Sequence, residues 1–188
     1  EKAGLLVGRL LKGENIALIT DAGTPAISDP GEVLVRMCQE NQITVTSLPG
    51  PCACITALTL SGLSARRFCF EGFLPSEKKD RRVILEELAG ETRTIVLYEA
   101  PHHLVKTLGD LREWLGDRKI TLCRELTKKF ESVMPVTIGQ ALEYYRNALA
   151  IKEKLLGYEH PSIGVIYDNI AGVYKDQWEY GKALEYYE

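Results

Sequence analysis

The residues Asn15 to Gly31, N-I-A-L-I-T-D-A-G-T-P-A-I-S-D-P-G, constrain the fold more than any other stretch. Ile16 to Thr20 is a short apolar, β-branched run suited to a buried strand. At Asp21 the apolar character stops. A loop rich in Gly, Pro and Asp then carries the chain to Val33, Leu34 and Cys38, where helical spacing resumes. Strand, loop and helix in that order describe the carboxyl edge of an open α/β sheet, where ligands bind. The loop has neither G-x-x-x-x-G-K-[ST] nor G-x-G-x-x-G, so a nucleotide-phosphate cradle is not expected. Backbone exposed beside Gly23, turns at Pro25 and Pro30, and two carboxylates suit a positively charged ligand with many hydrogen-bonding groups. The same residues also suit a plain βα turn capped at Ser28 and Asp29.

Along the chain, Glu1 to Lys12 reads as a helix with Leu5, Leu6, Leu10 and Leu11 inward, stopped by Gly13. Helix Glu32 to Asn41 and strand Ile43 to Ser47 follow the first loop. Leu48-Pro49-Gly50-Pro51 then leads into a helix from Cys52 to Leu60. The two Gly/Pro loops should lie side by side as two walls of one pocket. Gly62 to Arg66 reads as an interdomain connection. A second α/β set follows: strand Phe68 to Gly72, helix Glu77 to Leu88, strand Thr94 to Tyr98, helix His103 to Leu115, strand Lys119 to Leu126.

The strings themselves say more than their composition. D-A-G-T-P-A-I-S-D-P-G with S-L-P-G-P-C-A-C-I-T-A-L at Ser47 to Leu58 resembles the tetrapyrrole-methylase superfamily. Within it the resemblance is to the branch that methylates the ribose 2′-hydroxyl of a cytidine in small-subunit (16S) ribosomal RNA. R-F-C-F-E-G-F-L-P at Arg67 to Pro75, T-I-V-L-Y-E-A-P-H at Thr94 to His102 and R-E-L-T-K at Arg124 to Lys128 continue the match in the family's order. Tetrapyrrole-modifying relatives usually carry G-D-P in the first loop, so D-A-G-T-P favours the RNA branch. The resemblance implies two α/β lobes meeting over S-adenosylmethionine, an rRNA or 30S-particle partner, and a homodimer when complete.

Carried over by motif, the cofactor-binding residues would be Asp21, Ala22, Gly23, Thr24 and Pro25 from one loop and Gly50, Cys52 and Ala53 from the next. Tyr98, Glu99, Glu125 and Leu126 would serve from the second lobe. Gly23 and Gly50 would let backbone approach the ligand closely. No residue declares itself the general base. His102 follows Y-E-A-P, with His103 beside it, yet a His at a helix start is more often a surface or capping residue. Glu99, Glu125 and Lys128 stay open. There is no Ser/His/Asp order and no thiol beside a base, so nothing points to nucleophilic catalysis.

From Thr137 the character changes. A-L-E-Y-Y occurs at Ala141 and again at Ala183, with helical spacing inside the repeat. The segment resembles tetratricopeptide repeats of the kinesin-light-chain kind, with Tyr167, Ile170, Ala171, Tyr174, Tyr180, Ala183 and Tyr187 at packing positions and Trp178 where Gly is usual. About one and a half repeats are present, against around three for a continuous solenoid core. Such a tail offers a surface for a protein partner.

The expected organisation is a partial two-lobed methylase fold of the α/β class, with lobes at 1–65 and 66–137, and an all-α repeat tail at 138–188. In the family a first strand precedes the position of Glu1, and the motifs fade after Glu131. Both lobes are therefore expected to be incomplete, as in a fused gene, and the 188-residue chain alone to be inactive. The alternative is a repeat-based interaction module carrying a non-functional methylase remnant.

Charge and cysteine content bound these readings. Net charge is −3, against a strongly basic nucleic-acid binder, but residues 138–188 hold the whole excess with five basic and eight acidic side chains. Lys78, Lys79, Arg81 and Arg82 form the densest basic cluster. It is either a solvated helix face or, as the resemblance implies, an RNA phosphate contact. The five cysteines show no C-x-x-C pairing, so buried thiols in a reducing cytoplasm are expected and a metal site is not. No apolar run approaches the ~20 residues of a membrane span. The opening residues do not read as a signal peptide.

Overall fold

The computed structural model describes residues 2–156, with side chains through residue 148. The chain divides into two compact units, Glu1–Ile55 and Thr56–Glu188. Most of the expected repeat, including Tyr167 to Tyr187, lies outside the described residues.

In the first unit, α1 (Lys2–Leu10) packs on α2 (Glu32–Glu40). Val7 and Cys38 are the residues these helices bury. Past α1, the Arg9 guanidinium pairs with Glu14 at 2.6 Å. α2 ends at Asn41, whose side-chain amide donates to the Met37 carbonyl at 2.8 Å. The expected strands Ile16 to Thr20 and Ile43 to Ser47 do not form. Both runs are irregular, and Ile19 and Leu48 are 83% and 84% exposed. An extended segment becomes a strand only through a ladder with a neighbour. Among the described residues of this unit neither run has one. α3 (Ala53–Leu60) follows the second loop.

The second unit is built on pairing. β1 (Phe68–Phe73) and β2 (Thr94–Tyr98) run parallel, joined through α4 (Lys78–Ala89). A bulge between Phe70 and Gly72 shifts their register, and Gly72 takes φ +63° there. After α5 (Leu104–Leu115), β3 (Lys119–Arg124) and β4 (Ser132–Thr137) form an antiparallel pair with Arg124 opposite Ser132. Leu85 and Leu88 of α4 and Val105, Leu108 and Leu111 of α5 make the core with Ile138, Ala141 and Leu142 of α6 (Ile138–Leu156). The stretch read as an interdomain connection is tied into this unit. Thr94 donates to the Ser64 carbonyl at 2.7 Å, and Thr121 to the Ser61 carbonyl at 2.8 Å.

The start of α6 is fastened twice. The Thr137 hydroxyl accepts the Gln140 N–H at 3.2 Å while Gln140 Oε1 accepts the Thr137 N–H at 2.9 Å, a reciprocal capping box. Asp117, from the α5–β3 connection, accepts the Gly139 N–H at 2.6 Å and the Thr137 hydroxyl at 3.2 Å. The first turns of the expected repeat helix are thus part of the second unit's core.

Candidate active site

Each unit contributes one group of the sequence-predicted residues. In the first unit the two Gly/Pro loops touch, as expected of neighbouring walls. The Thr24 N–H donates to the Pro51 carbonyl at 2.9 Å, and the Thr24 hydroxyl reaches the same oxygen at 3.2 Å. Thr20 braces the turn by donating to the Gly23 carbonyl at 3.0 Å. Gly23 has φ +89°, and a Cβ there would lie 2.9 Å from the Pro51 oxygen. At Gly50 a Cβ would come within 3.1 Å of Thr24 Oγ1. Sequence reasoning assigns both glycines to ligand approach; in the structure the space beside each is filled by the other loop.

Asp21, Ala22 and Gly23 are exposed at the tip, and Thr24 and Pro25 are half-buried. On the second loop Gly50 and Ala53 are exposed and Cys52 is half-buried, its sulfur 3.4 Å from that of buried Cys54. The tip thus offers solvent a carboxylate and backbone polar groups.

In the second unit, the residues after β2 hold an organised polar chain. Glu99 Oε1 accepts the Ala100 N–H at 2.7 Å, and its Oε2 accepts the Thr107 hydroxyl. Thr107 Oγ1 in turn accepts from Arg81 Nη2 at 2.7 Å. Arg81 also donates through Nε to Asp110 Oδ2 at 2.6 Å and through Nη1 to the Pro75 carbonyl at 3.3 Å. With Arg81 9% and Thr107 3% exposed, this chain lies inside the unit and fixes the Glu99 carboxylate at the carboxyl end of β2. Tyr98 packs edge-on against Phe70 and Phe73, with ring centroids 5.1 Å and 5.6 Å away.

Arg81 therefore departs from the basic cluster in which the sequence puts it. Its donors are engaged internally, because it shares the buried stripe of α4 with Leu85 and Leu88 at i+4 and i+7. Lys78, Lys79 and Arg82 remain on the exposed surface, with the Arg82 guanidinium 5.9 Å from the Trp114 ring centroid. The sequence reading missed Thr107 and Asp110 altogether. Their signal was their i, i+3 spacing on α5, opposite an arginine at an apolar-stripe position.

The other proposed catalytic groups sit on turns. His102 and His103 are exposed before α5, with ring centroids 4.1 Å apart. Glu125 and Leu126 open the β3–β4 turn, Glu125 at φ 51°, and Lys128 Nζ lies 3.5 Å from Glu125 Oε2. Burial, aided by nearby carboxylates, raises the thiol pKa of Cys69 and of Cys123, which keeps both neutral. Hydrogen bonds from the Arg93 side chain and backbone draw Glu91 down to about 2. Among the described residues, no cluster of three or more His, Cys, Asp or Glu is placed to hold a metal ion. No described helix is long and apolar enough to cross a membrane.

Comparison with known proteins adds two family matches. Residues 1–142 match the tetrapyrrole (corrin/porphyrin) methylases, and residues 138–188 match the tetratricopeptide repeat. The first match runs past Glu131, where the short motifs fade, and takes in β4 and the start of α6. Residues 138–142 fall within both matches.

Among curated proteins, the chain is similar to the ribosomal RNA small subunit methyltransferase I of Haemophilus influenzae. It is 52% identical over 145 residues, covering 77% of this chain and 51% of that protein. The protein of that name from Pasteurella multocida is 50% identical over 135 residues, covering 71% of this chain and 48% of its own length. The one from Synechocystis is 50% identical over 141 residues, covering 74% and 50%. The chain spans about half the length of the curated relatives it matches.

Proposed function

The chain belongs to the tetrapyrrole (corrin/porphyrin) methylase family, and on that premise we propose a methyltransferase of small-subunit ribosomal RNA. It uses S-adenosylmethionine and acts on the ribose 2′-hydroxyl of a cytidine in 16S rRNA. The observation that carries this reading is the identity, at about half of the aligned residues, with proteins named ribosomal RNA small subunit methyltransferase I. The proposed lobes run 1–65 and 66–137 with repeats from 138 to 188, a division by motif that differs from the division by contacts at Ile55. The site of action is the cytoplasm, on rRNA or the 30S particle, by a protein that is a homodimer when complete.

Bound S-adenosylmethionine supplies an electrophilic methyl group on a sulfonium, open to in-line displacement. The exposed carboxylate of Asp21 and the backbone of Ala22 and Gly23 suit such a cationic, hydrogen-bonding ligand. Thr24, Pro25, Gly50, Cys52 and Ala53 complete that wall, and Tyr98, Glu99, Glu125 and Leu126 serve from the second lobe. Holding donor and acceptor in line contributes up to about 7–11 kcal/mol of barrier reduction. A base that removes the hydroxyl proton adds about 10²–10⁴-fold, and His102, Glu99, Glu125 and Lys128 are its candidates. Lys78, Lys79 and Arg82 meet RNA phosphates from the exposed face of α4.

Transfer of labelled methyl to small ribosomal subunits, by the protein at the length of its curated relatives, tests this reading. Label in a tetrapyrrole acceptor but none in RNA would overturn it. The repeat match at 138–188 favours a second role, as a protein-interaction module. If that is the only role, the purified chain retains neither S-adenosylmethionine nor its demethylated product.

A further inference from the structure

The β3–β4 turn presents an aromatic ring that the core does not claim. Phe130 is 68% exposed on residues 125–131, between the paired positions Arg124 and Ser132. The turn is fixed from within. Glu131 Oε2 accepts the Thr127 N–H at 2.6 Å, while the Lys128 N–H reaches the Glu125 carbonyl at 2.9 Å and the Glu131 N–H the Lys128 carbonyl at 3.1 Å. An apolar ring held outward on a braced turn costs hydration in the free protein and is ready for a flat partner.

Cations flank it. Lys129 Nζ stands 5.6 Å from the Phe130 ring centroid, and Lys128 is paired with exposed Glu125 at 3.5 Å. An exposed ion pair of that kind contributes little and is readily exchanged for another anion. The turn's other carboxylate, Glu131, is engaged by the Thr127 amide. A stackable ring with Lys129 against it and Lys128 on the same turn suits an unpaired base with phosphates on either side.

We propose that this turn is a single-stranded RNA contact, with Phe130 stacking on an unpaired base and Lys129 and Lys128, the latter as a cation and so no longer a candidate base, meeting the flanking phosphates. The choice of RNA rests on the proposed rRNA methyltransferase reading; the location rests on the turn alone. A duplex keeps its base faces covered, so the contact selects a loop or an opened strand.

The test is fluorescence anisotropy of the 188-residue chain with a labelled single-stranded RNA of about a dozen nucleotides. Phe130→Ala should weaken binding about 5- to 150-fold with circular dichroism unchanged, and Phe130→Tyr should restore it. Replacing Lys128 and Lys129 with Ala should flatten the log–log salt dependence by about 0.7 for each phosphate that is no longer neutralised. Unchanged affinity in Phe130→Ala overturns the proposal, as does equal loss on a duplex of the same sequence. So does a Phe130→Ala change that appears only as a dimer dissociating in sedimentation. Calorimetric titration with S-adenosylmethionine, on the protein at the length of its curated relatives, separates the two readings. Donor binding should be indifferent to Phe130, so its absence alongside Phe130-dependent RNA binding defeats the methyltransferase reading and leaves this one standing.

Discussion

The unit Glu1–Ile55 and the unit Thr56–Glu188 treat their apolar residues in opposite ways. In the second, strands find partners and helices α4, α5 and α6 close over a shared core. That core also accommodates a charged residue, Arg81, by answering it with Asp110, Thr107 and a carbonyl. In the first, two runs of strand-like composition lie without ladders, Ile19 and Leu48 face solvent, and a hydrogen bond joins two loop backbones at Pro51. The contrast separates two sources of order. Helices and Gly/Pro turns are specified within a few residues of themselves, whereas a strand is a property of two segments at once.

The largest effect that would sharpen this contrast is in the second unit. Asp110→Ala leaves the Arg81 guanidinium buried without its carboxylate and should cost about 3–5 kcal/mol in urea unfolding. In the first unit, Val7→Ala removes two methyl groups and should cost about 1–2 kcal/mol. Equal costs would mean that the two units are ordered by similar means.

A middle-sized effect is expected at the loop contact. Gly23→Ala must hold φ +89° with a Cβ 2.9 Å from a carbonyl oxygen, at about 1–3 kcal/mol. Hydrogen exchange at the Thr24 amide, which donates to that carbonyl, should accelerate. Gly50→Ala is close only to the Thr24 hydroxyl at 3.1 Å, with the Leu48 carbonyl oxygen at 4.0 Å, and should change exchange less. Thr24 protection unchanged in Gly23→Ala would mean that the loop contact does not depend on that glycine.

The smallest effect is electrostatic. Arg93 depresses Glu91 from 4.5 to about 2. A depressed carboxylate contributes stability that is fully present above the unfolded value and is lost as pH falls through the folded one. The melting temperature should therefore decline between about pH 4.5 and pH 2, and less steeply in Glu91→Gln. Arg93 is exposed and Glu91 half-buried, so solvent screens the pair and the difference should be small, and identical profiles would remove it from the stability of this unit.

How far the sequence reveals this arrangement follows from the same distinction. Strand Thr94 to Tyr98 and helices α4 and α5 stand within a residue or so of where apolar spacing puts them. β4 went unread because S-V-M-P-V-T carries Pro135, which removes a ladder donor and suits an edge. Ile16 to Thr20 has the composition of a strand, but composition cannot supply a neighbour. The adjacency of the two loops was legible, since Gly and Pro at both tips announce close backbone approach. The inward turn of Arg81 was hidden by K-K-D-R-R, which reads as a solvated cluster until its phase with Leu85 and Leu88 is counted.

The double fastening of α6 has a consequence for rotational phase. Asp117 and the Thr137–Gln140 box fix where the helix begins, and Ile138, Ala141 and Leu142 fix which way it faces. Over its 19 residues the axis advances about 28 Å, at ~1.5 Å and ~100° per residue. The helix works as a ruler and a compass together. One residue inserted between Leu142 and Leu156 would swing the rest of the helix through about 100°, and about 18 residues, five full turns, would restore the bearing. Substitutions between Leu142 and Leu156 leave that bearing alone, whereas a change in helix length alters it unless it comes in whole turns.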